Sequence, residues 1–153
     1  MGLLKHLEIL KVRFFTDDDG GLVHGDLMID AELVQMARAQ LNPRRLSRLA
    51  EAGGAACALV TEKGNVYLGV SIDTACGMGF CAEHAAIAAM ITAGENQIAI
   101  IVAVGRDGAI IPPCGRCREF IYQIDGRQGE TRVILPNKVA LLKDLLPEYW
   151  SGC

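Results

Sequence analysis

The sequence predicts a three-layer α/β/α domain, with helices on both faces of a mixed five-stranded sheet. Three observations predict it. The chain has 153 residues, 51% hydrophobic and only 5% aromatic, enough for one core built of Ala, Val, Ile and Leu. Two apolar runs flank "TEKGN" and read as a β-hairpin. In the second half, β-branched runs alternate with helical segments, so the strands there are expected to be parallel.

The elements follow in order. Residues 1–28 stand apart as an N-terminal extension, and a single domain is expected over 29–153. Within the extension, "TDDDGGLVHGD" (16–26) reads as loop. Residues 29–42 read as a helix with Asp30 as N-cap and Leu33, Val34, Ala37 and Leu41 at helical spacing; Asn42-Pro43 ends it. "RRLSRLAEAGG" has room for one more helical turn before Gly53-Gly54. Residues 55–73 form the hairpin, turning at Gly64 and Asn65. Residues 81–95 read as a helix apolar nearly all round, hence buried. "QIAIIVAVG" (97–105) has the continuous β-branched pattern of a central strand. Residues 112–124 are a turn entering a helix, 131–136 a strand stopped by Pro136, and 138–150 a final short helix and tail.

Charge narrows the function. The formal charge is −3, and "RRLSR" (44–48) is the one basic cluster, read as a solvated helix face. A strand-binding groove needs clustered Lys and Arg with stacking aromatics, so no nucleic-acid partner is expected. No apolar run approaches a membrane span, and no small-residue cleavage site follows the first segment. A cytoplasmic setting is therefore expected. There, closely spaced cysteines read as metal or catalytic groups rather than disulfides.

The chemistry lies in two stretches, "CAEH" (81–84) and "PPCGRCRE" (112–119). Pro112, Pro113 and Gly115 place Cys114 and Cys117 at a helix start, where the helix dipole stabilises thiolates. Cys81 stands at another predicted helix start. Three thiolates from two helix N-termini can hold Zn²⁺ and leave its fourth position open, as catalytic zinc requires. Two bland readings compete. A structural site would need a fourth ligand, for which His84 is the candidate. Three positions after Cys81, its ring is expected to point away. A redox dithiol at Cys114 and Cys117 is the other. Glu83 decides for catalytic zinc over both, because a carboxylate beside an open zinc position can move protons. Phe80 reads equally as pocket wall or core, and Cys57, Cys76 and Cys153 as free thiols.

C-x-E with P-C-x-x-C is the signature of zinc deaminases. "CAEH" and "PCGRCRE" resemble the cytidine deaminase family, over about residues 30 to 150. "VAVGRDGAIIPPCGRCREFI" and the tail "LLPEYW" resemble blasticidin S deaminase in particular. The resemblance implies Zn²⁺ held by Cys81, Cys114 and Cys117. It implies Glu83 as the proton carrier in hydrolytic deamination of a cytidine-type nucleoside, with release of ammonia. It assigns the backbone of Ala82 to the base edge. It also implies a homotetramer acting on a small molecule, whose tail helps close a neighbour's pocket.

The pattern also departs from the family. Ser71 and Asp73 in "SIDTA" stand where the family has an Asn and a Glu that hold the sugar hydroxyl. A frequent aromatic neighbour of the base falls near Gly53-Gly54. His84 replaces an arginine that donates to the ligand sulfurs. Arg116 matches an arginine of blasticidin S deaminase and is expected to take over in tuning the zinc charge, since three thiolates and Zn²⁺ sum to one negative charge. Deamination of blasticidin S or another aminated heterocycle is therefore the rival substrate reading. A catalytically silent zinc domain used for assembly is the rival of another class. Such a domain need not keep an acid at 83.

Overall fold

The computed structural model describes residues 25–150. The expected extension over 1–28 lies outside them up to residue 24, as does Cys153. The elements are α1 (Gly25–Ala39), β1 (Arg44–Ser47), β2 (Ala50–Thr61), β3 (Val66–Thr74), α2 (Ala82–Thr92), β4 (Ile98–Val104), β5 (Ile110–Ile111), α3 (Gly115–Ile124), β6 (Arg132–Ile134), β7 (Val139–Leu141) and α4 (Leu142–Leu145).

The hairpin forms as its turn chemistry requires. Gly64 adopts φ +80°, and its N–H reaches the Thr61 carbonyl at 2.8 Å. β2 and β3 then pair antiparallel from Ala50↔Thr74 to Val60↔Val66. The other edge of β2 is shared, with β1 on its first residues and β4 on Ala56–Thr61. β4 pairs parallel with β6, as the alternation predicts, and antiparallel with short β5. β7 closes antiparallel on β6. The mixed sheet thus runs β3-β2-β4-β6-β7, with β1 and β5 as short additions beside β2 and β4.

Alternation of side chains along the strands makes the three layers. Ala56, Ala58, Val60, Ile100 and Val102 face Leu33, Val34 and Ala37 of α1. Cys57, Leu59 and Ile101 face the other way, onto Ala86, Ile87 and Met90 of α2 and Ile121 of α3. Each such large side chain contributes about 1.5–3 kcal/mol by leaving water.

Three expectations need correction. Residues 44–47 are strand, not a helical turn or helix face: they pair with Ala50–Ala52, and Ser47 Oγ accepts the Leu49 N–H at 3.1 Å in the tight turn between. Residues 139–141 are strand rather than helix, because the turn after Pro136 returns the chain onto β6; Leu135 N–H donates to the Lys138 carbonyl at 2.8 Å. Asp30 is not an N-cap, since α1 already begins at Gly25. Its carboxylate pairs with Arg132 at 3.0 Å and ties α1 to β6.

One close approach sets the site. α2 crosses β3 at Gly69, where any Cβ would overlap the backbone of Ala86 and Ala82. Only glycine lets the helix lie that near the sheet.

Candidate active site

Both cysteine stretches do start helices. Cys81 is the extended N-cap of α2, and Cys114 that of α3, its sulfur accepting the Cys117 N–H at 3.4 Å. The two helices share one face of the sheet, so their N-termini meet. Cys114 Sγ lies 3.8 Å from Cys81 Sγ and 3.3 Å from Cys117 Sγ. A tetrahedral zinc with Zn–S bonds of about 2.3 Å spaces its sulfurs by about 3.8 Å, so these separations fit that ion within half an ångström.

His84 overturns the expectation about its ring. The ring turns toward the sulfurs, with Nδ1 3.6 Å from Cys117 Sγ. The donor atoms of Cys81, His84 and Cys117 all lie within 4.8 Å of one another. Phe120 holds the ring there, stacked at 4.4 Å and 12° between planes.

A cavity of about 540 Å³ opens at this cluster. Cys81, Cys114, Ala82 and Glu83 form its reacting end, while Cys117 and His84 lie behind the walls. Ser71, Asp73, Phe80 and Arg116 also line it, so nearly all the predicted site residues share one space. Phe80 is held there by a pair of backbone bonds with Ile72, at 2.9 and 3.0 Å.

The electrostatics call for a cation. Burial raises the Glu83 carboxyl above its usual range, against lowering by its own backbone N–H and by Cys117. Burial also pushes the Cys117 thiol far up, with the charge of Glu83 adding to it. Cys81 is raised too, chiefly by burial. At Cys114, burial pushes upward, but hydrogen bonds from the Cys117 N–H and the neighbouring thiols outweigh it, and its pKa falls. Burial first, then the charge of Arg116, keep His84 below its ordinary value. A nest of thiols and one acid in this setting ionises together only around a positive ion.

Other residues do structural work. Arg118 donates to the carbonyls of Pro113 and Leu145, at 2.9 and 3.0 Å, fixing the approach to α3. The tail lies back on its own chain: the Trp150 N–H meets the Glu119 carboxylate at 3.3 Å, and Tyr149 packs on Tyr122. Cys57 is a core thiol whose pKa burial raises.

The structure places Gly54 on the cavity wall, where the sequence set it beside the base, but sequence reasoning missed Ala55, Arg106, Ile111 and Pro112 as walls. Extending the Ala56↔Val104 register two residues sets Gly54 opposite Arg106. That neighbourhood depends on strand pairing, and no local pattern signals it.

Helix-borne thiols around a buried acid, opening on a cavity at one side of a layered α/β sheet, are the build of a zinc hydrolase. The family model described as "Cytidine and deoxycytidylate deaminase zinc-binding region" matches residues 30–130. Cytidine deaminase of Mycobacterium tuberculosis strain H37Rv is 32% identical over 95 residues, 61% of this chain and 70% of that one. A probable cytidine deaminase of Dictyostelium discoideum is 34% identical over 65 residues, 41% of this chain and 44% of that one. Among solved structures, cytidine deaminase from Mycobacterium leprae superposes with TM-score 0.66 at 26% identity, covering 83% of this chain and all of the other. The enzyme from Burkholderia pseudomallei gives 0.64 at 28% identity, covering 84% of this chain. The chain belongs to the cytidine deaminase family. It is a hydrolytic deaminase with zinc as cofactor, and no described helix is long and apolar enough to cross a membrane.

Proposed function

We propose that the protein deaminates a 4-amino pyrimidine nucleoside of the cytidine or deoxycytidine type, giving the 4-oxo product and ammonia. One observation carries the reading: buried Glu83 shares the end of the cavity with Cys81 and Cys114. The cavity's volume is in the range that encloses a small ligand.

Cys81, Cys114 and Cys117 would hold the Zn²⁺ at the end of the cavity, where it would lower the pKa of a water so that the water loses a proton near neutral pH. Glu83 accepts that proton and delivers it to ring nitrogen N3 while the water oxygen adds at C4; Glu83 then carries the remaining hydroxyl proton to the amine, which leaves as ammonia as the C4–O bond closes to a carbonyl. Its raised pKa suits a group that must both take and give a proton. Ala82, on the first turn of α2, presents backbone to the base edge. Ser71 and Asp73 meet the sugar. Arg116 offsets the surplus negative charge of three thiolates, while His84 directs a ring nitrogen at the Cys117 sulfur.

Ammonia release from cytidine, deoxycytidine, blasticidin S and aminopurines tests this, with Glu83→Gln as control. Release from cytidine or deoxycytidine, lost in Glu83→Gln at unchanged zinc content, is the expected result. Release that Glu83→Gln leaves intact refutes the mechanism. No release at all favours a silent zinc domain. Preference for blasticidin S or another aminated heterocycle is the second reading. It is favoured by the bare Gly54 wall and by Ser71 Oγ, which already accepts the Ala55 N–H at 3.0 Å. The proposal extends to a cytoplasmic homotetramer of a 29–153 domain carrying an N-terminal extension. A monomer mass in sedimentation of the full chain would overturn the assembly.

A further inference from the structure

We infer that Arg106 selects substrates bearing a negatively charged group, a phosphate ester or a carboxylate, on the sugar side of the base. This rests on the deaminase reading and goes on to name what the far part of the substrate carries. Arg106 follows the end of β4 and forms the cavity wall together with Gly54, Ser71 and Asp73. Its guanidinium lies over the bare glycine. One terminal nitrogen is 3.4 Å, and Nε 3.9 Å, from where a Cβ on Gly54 would stand. Ser71 Oγ is 3.8 Å from that same point. A guanidinium and a hydroxyl thus converge on one small space beside the residues assigned to the sugar.

The neutral reader there is weak. Ser71 Oγ spends one of its two acceptor lone pairs on the Ala55 N–H at 3.0 Å and has a single hydrogen to donate. Arg106 offers a planar fork of donors suited to two anionic oxygens. Glu51 is its ion-pair neighbour at 3.7 Å, beyond hydrogen-bond length, with the side chains 66% and 59% exposed. A pair so open to water contributes little and yields readily to a ligand. Next to this wall, sharing Asp73 and Thr74 with it, lies a depression edged by Arg45 and Arg48. The reacting end, by contrast, is crowded with thiols and the Glu83 carboxylate. A substrate with an anionic tail is therefore oriented tail toward Arg106 and base toward Glu83. Asp73 and Glu51 set a limit: they leave the wall mixed in sign, so the discrimination rests on the Arg106 fork rather than on a broad positive field.

The test compares cytidine, cytidine 5′-monophosphate and the 5′-carboxylate of cytidine as substrates of the zinc-loaded full chain. Expected is a kcat/KM at least about tenfold higher for an anionic substrate, the size of one screened charge-assisted hydrogen bond, expressed mainly in KM. Which of the two anions is favoured separates nucleotide from sugar acid. Arg106→Gln should return the ratio to about one, and Arg106→Lys should keep part of it, since a point charge survives but the fork does not. A ratio near one in the wild type, or one that Arg106→Gln does not change, overturns the inference while leaving deamination standing. If none of the three is deaminated, calorimetry with uridine and uridine 5′-monophosphate decides separately. Tighter binding of the monophosphate, lost in Arg106→Gln, supports the assignment to Arg106. Equal binding overturns it.

Discussion

Two buried glutamates flank one helix and behave in opposite ways. Glu83 sits on the first turn of α2, and Glu95 lies just past its end. Burial raises Glu83, and little opposes it beyond its own backbone N–H and Cys117. At Glu95, burial raises as well, but hydrogen bonds from Thr61, Asn65 and Tyr67 outweigh it and hold the carboxyl below its usual range. Asn65 Nδ2 donates to Glu95 Oε1 at 2.6 Å, and the Tyr67 hydroxyl donates to it at 2.9 Å. Burial alone therefore does not tell function from structure. The number of donors does: a carboxylate fixed by partners ties the helix end to the hairpin, whereas one short of partners is ready for a proton.

The largest effect expected at the mouth of α2 comes from removing the metal. Chelation, or Cys117→Ala, should take ammonia release below detection and lower zinc content together. Bound metal in Cys117→Ala at one ion per chain would instead promote His84 to a ligand. Next comes Glu83→Gln, expected to cost about 10²–10⁴-fold in kcat with the melting temperature kept. An equal loss of fold would make Glu83 a second Glu95 and break the contrast. Between the two ends, Gly69→Ala should push α2 off β3, lowering both stability and turnover by parallel assays of melting and activity. Arg116→Ala should reduce zinc affinity or turnover by about 10–100-fold, measured by metal analysis and kinetics. Wild-type values for both would remove Arg116 from the charge balance.

The smallest effect belongs to the far end of α2. Glu95→Ala should cost about 1–3 kcal/mol in a denaturant titration, with kcat unchanged. Its pH dependence has a definite sign. The folded pKa is depressed, so the stabilisation is present above the unfolded value of about 4.3 and fades as pH falls through it toward the folded one. Wild type and Glu95→Gln should therefore converge in stability below that range.

Much of this was legible in the letters because it is local. Pro112, Pro113 and Gly115 announce a helix start, and "CAEH" at the head of an alanine-rich run announces another. Cys81, Glu83, Cys114 and Cys117 needed only the two helices to lie side by side. The failures are non-local. "RRLS" and "VAL" are too short to show a period, and their pairing with β2 and β6 decides them. Asp30 imitates a cap, while its partner Arg132 lies 102 residues away. His84 was misjudged because the Phe120 face that orients it belongs to the next helix. Arg106 carries no motif, and only the register of two antiparallel strands brings it to Gly54.

The contact at Gly69 has a consequence for redesign. α2 bears on naked backbone there, with nothing larger than the Ala85 methyl against the sheet to swap rotamer. That seat, directly under Ala82, is a fixed bearing, and a shift of β3 passes to the start of α2, where Cys81 and Glu83 stand. The cavity wall of Phe80 and Arg106 is built of side chains instead, over the bare Gly54. New substrates are therefore to be sought by reshaping that wall, with the helix seat left as the datum from which the reacting atoms are placed.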